Sequence, residues 1–292
     1  MKAQQYEAPE TVAKAVALLK AVKGQARVLA GGTDLLIQMR VGRVSADTVV
    51  DIKRIPALRK ITRETSGGFK IGAAVTGAEA NEHAQLVKAW PGIVEGWDLI
   101  GSTQIQGRAT LAGNLCNASP AADGVPALVA AGAKVTVVGP KGTRKVPVEA
   151  IPVGPGRTSL AKGEIVTFFH LPKRPPRSSD AYLRLIPRTE MDIAVVGCAV
   201  NLTLDARGTC TAASVVLGAV APTVIKVPAA AKALIGTKLE PAALDKLAAA
   251  ASAACKPIDD KRGTVVYRTK IAGVLARRAA LIAYERARKK RA

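Results

Sequence analysis

Aromatic residues are scarce in this chain: Phe, Trp and Tyr make up 3% of its 292 residues, and there are only two histidines and four cysteines. Cys116, Cys198, Cys210 and Cys255 form no Cys-x-x-Cys pair, and neither His83 nor His170 stands near them at zinc spacing. A zinc site is therefore excluded, and reduced, mostly buried thiols are expected rather than a disulfide framework. No uninterrupted apolar run reaches the roughly 18 to 20 residues of a membrane helix. The opening Met1-Lys2-Ala3-Gln4-Gln5-Tyr6-Glu7, followed by Pro9, lacks the apolar core and small-residue cleavage site of a secretory signal. A cytoplasmic protein without a membrane span is the expectation.

Acidic residues are also few. There are 22 Asp and Glu against 43 Lys and Arg, a formal net charge of +21. Such an excess invites a nucleic-acid reading, which needs a basic stripe with a reading element or stacking aromatics. The cations are instead spread along the chain, and no RNP-like strand, helix-turn-helix or zinc finger accompanies them. The one dense cluster, Arg286 to Arg291, suits a solvated tail where a helix C-terminus favours cations. Nucleic acid is not the expected partner; the general charge suits acidic partner subunits.

What the chain has is aliphatic core. Hydrophobic residues make up 49%, ordinary for a globular protein, and the length allows one large domain or several small ones. Helical spacing runs from Glu10 to Val22, followed by a short β run, Arg27 to Ala30, a helix at Leu35 to Arg40 and a buried strand at Thr48 to Ile52. Ser66-Gly67-Gly68 marks a hairpin between Lys60–Glu64 and Phe69–Ala73. Helices are expected at Ala78–Leu86, Pro91–Ile100 and Asp123–Ala131, and strands at Lys134–Val138 and Glu164–Leu171. The stretch Gly101 to Pro120 shows neither period, and Pro172 to Ser179 reads as a linker. Beyond it lie a hairpin, Ile193–Leu204 and Thr211–Val220, and helices at Ala229–Leu234, Pro241–Ala254 and Gly263–Arg288. The last carries Val266, Ile271, Leu275, Leu281 and Ile282 as its apolar stripe. The class is α+β in two domains split near residue 177.

Two segments carry candidate chemistry. In Val28-Leu29-Ala30-Gly31-Gly32-Thr33-Asp34-Leu35 a buried strand ends in two glycines and a helix begins. Glycines let the backbone approach a ligand, and the amides of such a turn form an anion cradle. The competing reading is a plain strand-to-helix turn in which Thr33 or Asp34 caps the helix. Gln104 to Asp123 is rich in small hydrogen-bonding residues, as suits a loop around a polar ligand. Asp123 holds either a ribose hydroxyl or its own helix N-terminus. Gly154-Pro155-Gly156-Arg157 lacks the third glycine of a dinucleotide fingerprint, and Gly139-Pro140-Lys141-Gly142-Thr143 is not a P-loop.

Taken together, Ala30-Gly31-Gly32-Thr33-Asp34 and the segment from Gln104 through Thr110-Leu111-Ala112-Gly113-Asn114 to Ser119-Pro120-Ala121-Ala122-Asp123 resemble the FAD-binding subunit of the xanthine dehydrogenase and carbon monoxide dehydrogenase family, the molybdenum hydroxylases. The likeness continues in order through Gly154-Pro155-Gly156, Glu164-Ile165-Val166, Leu171-Pro172, Tyr182-Leu183-Arg184, Met191-Asp192-Ile193-Ala194 and Tyr267-Arg268.

The resemblance implies a two-part α/β FAD-binding domain at 1–176 (parts near 1–57 and 58–176), of vanillyl-alcohol oxidase type. A smaller α+β domain follows at 177–292. It implies non-covalent FAD, with Val28, Leu29, Ala30, Gly31, Gly32, Thr33, Asp34 and Leu35 around the diphosphate. Thr110, Leu111, Ala112, Gly113 and Asn114 would form a second turn on the same group. Asp123 would sit at the ribose or adenosine end, Ile100 and Val166 beside the flavin, and Arg184 at a usually basic position. Ala112 replaces a usual glycine, and Gln106-Gly107 replaces Arg-Asn. The implied partners are a large molybdenum-cofactor subunit and a small subunit with 2Fe-2S clusters, as a dimer of heterotrimers with a terminal electron acceptor. The alternative is a stand-alone flavin-dependent oxidoreductase of related fold.

Overall fold

Three main β-sheets carry most of the strands the sequence pattern marks, together with several it does not. The computed structural model describes residues 5–290; the first four residues and Arg291 of the basic cluster lie outside them. Gln5–Glu7, Thr48–Asp51 and Ala26–Leu29 form a parallel sheet in that order, with Thr48–Asp51 central. All four residues of the central strand are buried, as expected for a parallel strand covered on both faces. Helix Val12–Ala21, capped by Thr11, turns Ala15, Val16 and Leu19 inward.

The second sheet is antiparallel, in the order Ile61–Arg63, Phe69–Gly72, Ile165–Leu171, Lys134–Gly139, Gly142–Pro147. The edge strand Gly142–Pro147 was not expected; it is largely exposed and cationic, so no apolar alternation announces it. The expected helix Ala78–Leu86 is two, Gly77–Asn81 and Ala84–Ala89, because the His83 ring caps the second by accepting from the Leu86 amide at 3.1 Å. The supposedly aperiodic stretch holds two short helices, Thr103–Gln106 and Leu111–Asn117; they are too short to show a period. His170 is satisfied between Thr136 Oγ1 at 2.7 Å and Glu64 Oε1 at 2.8 Å.

The third sheet is antiparallel: Ser178–Leu185, Val196–Leu204, Cys210–Gly218 and Ile225–Lys226. Ser178 and Ser179, expected in the linker, open its first strand and are buried with Asp180; pairing to Val196–Leu204 satisfies their backbone. Helices Pro228–Leu234, Pro241–Ala253 and Val265–Lys289 complete this region. The long helix buries only part of the stripe expected of it: Leu275 is buried and Ile271 and Ile282 pack half-buried on the same core, but two members face solvent. Val266 is 77% exposed and Leu281 41%. Its inner face is Ala272, Ala276, Ala279, Ala280 and Ala283, with Leu275. Alanines let it lie close on the first two strands of the sheet.

Helix Pro91–Asp98 lies against strand Ser178–Leu185. A Cβ on Gly92 would stand 2.8 Å from the Ala181 amide nitrogen, and one on Gly96 2.7 Å from the Asp123 carbonyl oxygen. No helix among the described residues is long and apolar enough to cross a membrane.

Candidate cofactor-binding site

The strand Ala26–Leu29 ends in a turn that only glycine accommodates. A Cβ on Gly31 would lie 2.0 Å from the Arg108 carbonyl oxygen, and Gly32 has φ +80°. The following helix, Leu35–Arg40, starts at Asp34, but no side chain caps it. The expected cap by Thr33 or Asp34 is therefore not made. The amides of Gly32, Thr33, Asp34 and Leu35 have no hydrogen-bond partner among the described residues. An uncapped, glycine-turned helix start of this kind presents partial positive charge.

The second turn is built differently. Thr110 caps Leu111–Asn117 by accepting from the Gly113 amide at 3.0 Å, which leaves the Leu111 and Ala112 amides without a partner among the described residues. Ala112 lies in helical backbone and is buried, so its Cβ causes no backbone strain. Gln38 Nε2 donates to Asn117 Oδ1 at 2.8 Å and joins the two helices.

Between the turns runs a cleft of about 360 Å³. Of the residues singled out in the sequence, Val28, Ala30, Gly31, Gly32, Thr33, Asp34, Leu35, Thr110, Ala112, Gly113 and Val166 line it. Arg27, Gln38, Val44, Ile52, Cys116, Asn117, Gly156, Leu160, Glu164 and Ile165 complete the wall and were not named as site residues. Gly156, Glu164 and Ile165 were legible as part of the Gly154-Pro155-Gly156 and Glu164-Ile165-Val166 elements, and Cys116 and Asn117 lie in the Gln104–Asp123 segment; the others carry no local signature. Surrounding protein raises the Asp34 carboxyl above its ordinary value by desolvation. Cys116 is half-buried, and desolvation pushes its thiol up to about 12. The Glu164 carboxyl is held down by its hydrogen bonds from Arg144, at 2.9 and 3.1 Å.

The remaining six do not line this cleft. Leu29 packs on Ala46 and Val49, while Ile100 and Leu111 belong to the main core. Asn114 Oδ1 accepts from the Gly124 amide at 3.1 Å, taking the capping role that Asp123 does not perform. Asp123 accepts instead from the Tyr182 hydroxyl at 2.8 Å and from Arg184 Nη1 at 2.7 Å. The side chains of Arg184 and Asp123 are 5% and 9% exposed. Burial raises the Asp123 carboxyl to about 6, against the lowering effect of Arg184 and the two hydrogen bonds. Arg184 also borders an open depression with Leu183, Leu275, Arg278, Leu281 and Ile282. Among the described residues no group of three or more His, Cys, Asp or Glu is placed to hold a metal ion.

Known proteins are similar to this chain in sequence and fold. The profile of the FAD binding domain in molybdopterin dehydrogenase matches residues 2–174, and that of the CO dehydrogenase flavoprotein C-terminal domain matches residues 181–283. The carbon monoxide dehydrogenase medium chain of Afipia carboxidovorans is 37% identical over 284 residues, covering 97% of each chain. The xanthine dehydrogenase FAD-binding subunit of Escherichia coli O157:H7 is 35% identical over 222 residues, covering 76% of this chain and 75% of that one. Among solved structures, reconstituted CO dehydrogenase from Oligotropha carboxidovorans matches with a TM-score of 0.92 at 36% identity, covering 97% of this chain and 98% of the other. The two-turn cleft, the order of the sheets and the extent of these matches together make the chain a member of the FAD-binding subunits of xanthine and carbon monoxide dehydrogenase-type molybdenum hydroxylases.

Proposed function

We propose that this chain is the cytoplasmic, electron-transferring medium subunit of a heteromeric molybdenum hydroxylase, and that it holds FAD non-covalently in the cleft between its two turns. The observation that carries this reading is the convergence on one cleft of residues whose amides have no partner among the described residues, Gly32 to Leu35 and Ala112. An anionic diphosphate satisfies such donors. Gly31 keeps the two turns in contact, so that one group can reach both.

On this reading Val28, Ala30 to Leu35, Thr110, Ala112 and Gly113 bind the diphosphate, and Val166 with Ile165 and Leu160 excludes water along the wall. Asp123, Arg184, Ile100, Leu29, Leu111 and Asn114 act by fixing the frame rather than from the cleft wall. Bound FAD supplies the capacity to hold one or two electrons, and the protein supplies position and local field. Neither histidine lies in the cleft wall; His83 caps a helix and His170 is engaged by Thr136 and Glu64.

The proposed partners are a large subunit carrying the molybdenum cofactor, where substrate is oxidised, and a small 2Fe-2S subunit that delivers electrons singly, in a dimer of heterotrimers. Electrons leave toward a terminal acceptor. The test is titration of the purified chain with FAD, alone and with co-expressed partner subunits, followed by quenching of flavin fluorescence. Saturable one-to-one binding is expected. Failure to bind FAD both alone and in the assembled complex would overturn the proposal.

A further inference from the structure

The first turn is gripped from behind by cations that do not line the cleft. Lys53 Nζ donates to the Ala30 carbonyl at 2.9 Å while lying 2.8 Å from each carboxylate oxygen of Asp51. Asp51 is fixed in turn: it accepts from the Tyr6 hydroxyl at 2.7 Å and from the Lys53 amide at 2.9 Å. Its side chain is 6% exposed and that of Lys53 27%. Arg108 Nε donates to the next carbonyl, that of Gly31, at 3.4 Å.

Two successive carbonyls are thus captured by cations. In a planar trans peptide the carbonyl and the following amide point in opposite directions. Holding the Ala30 and Gly31 carbonyls on Lys53 and Arg108 therefore turns the Gly31 and Gly32 amides away from those cations. Both glycines line the cleft. Glycine has wide backbone freedom, so without this grip the two peptides would sample other orientations.

We propose that Lys53, seated on Asp51 and Tyr6, is a positioning residue which, with Arg108, sets the peptide planes of the first turn so that its amides receive a diphosphate. This rests on the cleft being the FAD diphosphate site. Lys53 and Asp51 form a neutral pair, so the effect on binding is orientational and does not come from attraction at a distance.

The test uses the full chain, with ADP and FAD as probes. Asp51→Asn/Lys53→Met removes both charges together and leaves no buried carboxylate unpaired. Its dissociation constants for ADP and FAD should rise about tenfold, roughly one charge-assisted contact. The factor should be the same at low and high salt, and Lys53→Arg, which keeps a donor on Asp51, should recover most of the affinity. Unchanged ADP and FAD binding by the folded double variant would overturn the proposal. So would a loss that vanishes at high salt, which would mean plain charge attraction, or a Lys53→Arg variant as weak as the double variant. A parent protein that binds neither ADP nor FAD, alone and with co-expressed partner subunits, would sink the cleft reading itself, and the role of Lys53 with it.

Discussion

Replacing Gly31 by alanine strikes the point where the two turns touch. The new Cβ would stand 2.0 Å from the Arg108 carbonyl oxygen, 2.8 Å from its carbonyl carbon and 3.3 Å from Ala109 Cα, whereas ordinary contact begins near 3.4 Å. All three neighbours are backbone, so no side chain can rotate aside. The segment they belong to is tied down: the Arg108 and Ala109 amides donate to the Ile105 carbonyl, and the Gly77 amide donates to that of Ala109. The turns must therefore part by an appreciable fraction of the missing distance.

Overpacking of this kind costs about 1–3 kcal/mol. A ligand held by amides on both turns feels the displacement directly, because hydrogen bonds weaken steeply outside roughly 2.7–3.2 Å. The dissociation constant for FAD should rise about 5- to 150-fold. The assay is fluorescence titration beside a control, Gly107→Ala, on the same segment, whose Cβ would meet nothing within 4 Å. If Gly31→Ala binds FAD within twofold of the parent while Gly107→Ala does the same, the contact between the turns has no part in binding.

Three further outcomes follow from particular contacts. Burial holds the Asp123 proton up to about pH 6 in the folded chain, against an ordinary 3.8; the stability this adds is full below about pH 4 and is lost as pH rises through 6. Urea unfolding of the parent and of Asp123→Asn should show the parent losing stability relative to the variant between about pH 4 and 7, and parallel pH curves would refute the assignment. Ala280→Leu, on the fully buried alanine face of the long helix, should lower stability by about 1–3 kcal/mol, while Val266→Ala, on its exposed side, should change it by less than about 0.5 kcal/mol. Ala112→Gly should leave FAD affinity within about threefold and cost up to about 1 kcal/mol of stability by loosening a helix turn.

The first turn was legible because its signal is local. A β run, two glycines and a helical run place themselves within eight residues, and the structure puts strand, turn and helix at Ala26–Leu29, residues 30–34 and Leu35–Arg40. The absence of a side-chain cap was not legible, since Thr33 and Asp34 are good capping residues whose failure to cap depends on the orientation of the turn. Gly101 to Pro120 misled because its helices of four and seven residues are too short to set up a period. Lys53 and Arg108 carry no signature at all; they meet the first turn only through pairing of Ala26–Leu29 with Thr48–Asp51 and packing of the second turn. The long helix shows the limit of hydrophobic pattern: alanine counts little on any apolar scale, yet here it is the buried face.

The few acidic residues explain more than their number suggests, because several are spent on the frame. Asp180 accepts from Arg174 at 2.6 Å and from the Ile93 amide at 3.2 Å, and Arg174 lies over the Trp90 ring, 3.6 Å from its centre. Glu95 accepts from the Tyr182 amide at 2.9 Å and pairs with Arg286. Asp123 holds Tyr182 and Arg184. Each of these contacts joins the cleft-bearing region to the C-terminal sheet. Buried ion pairs add little net stability, since desolvation offsets their attraction, but breaking one leaves a costly unpaired charge. They therefore act here as registration pins that allow one docking of sheet and helix. Asp51 and Glu164 are likewise committed, to Lys53 and Arg144. Each such pair cancels one charge of each sign, so the excess of 43 basic over 22 acidic residues is left untouched by them. A field of that sign, spread over the whole chain without a reading element, accelerates encounter with acidic protein surfaces and is screened by salt. In the cleft wall Glu164 is paired with Arg144, so Asp34 is the carboxylate there without a cation partner among the described residues, and desolvation raises its carboxyl above the ordinary value.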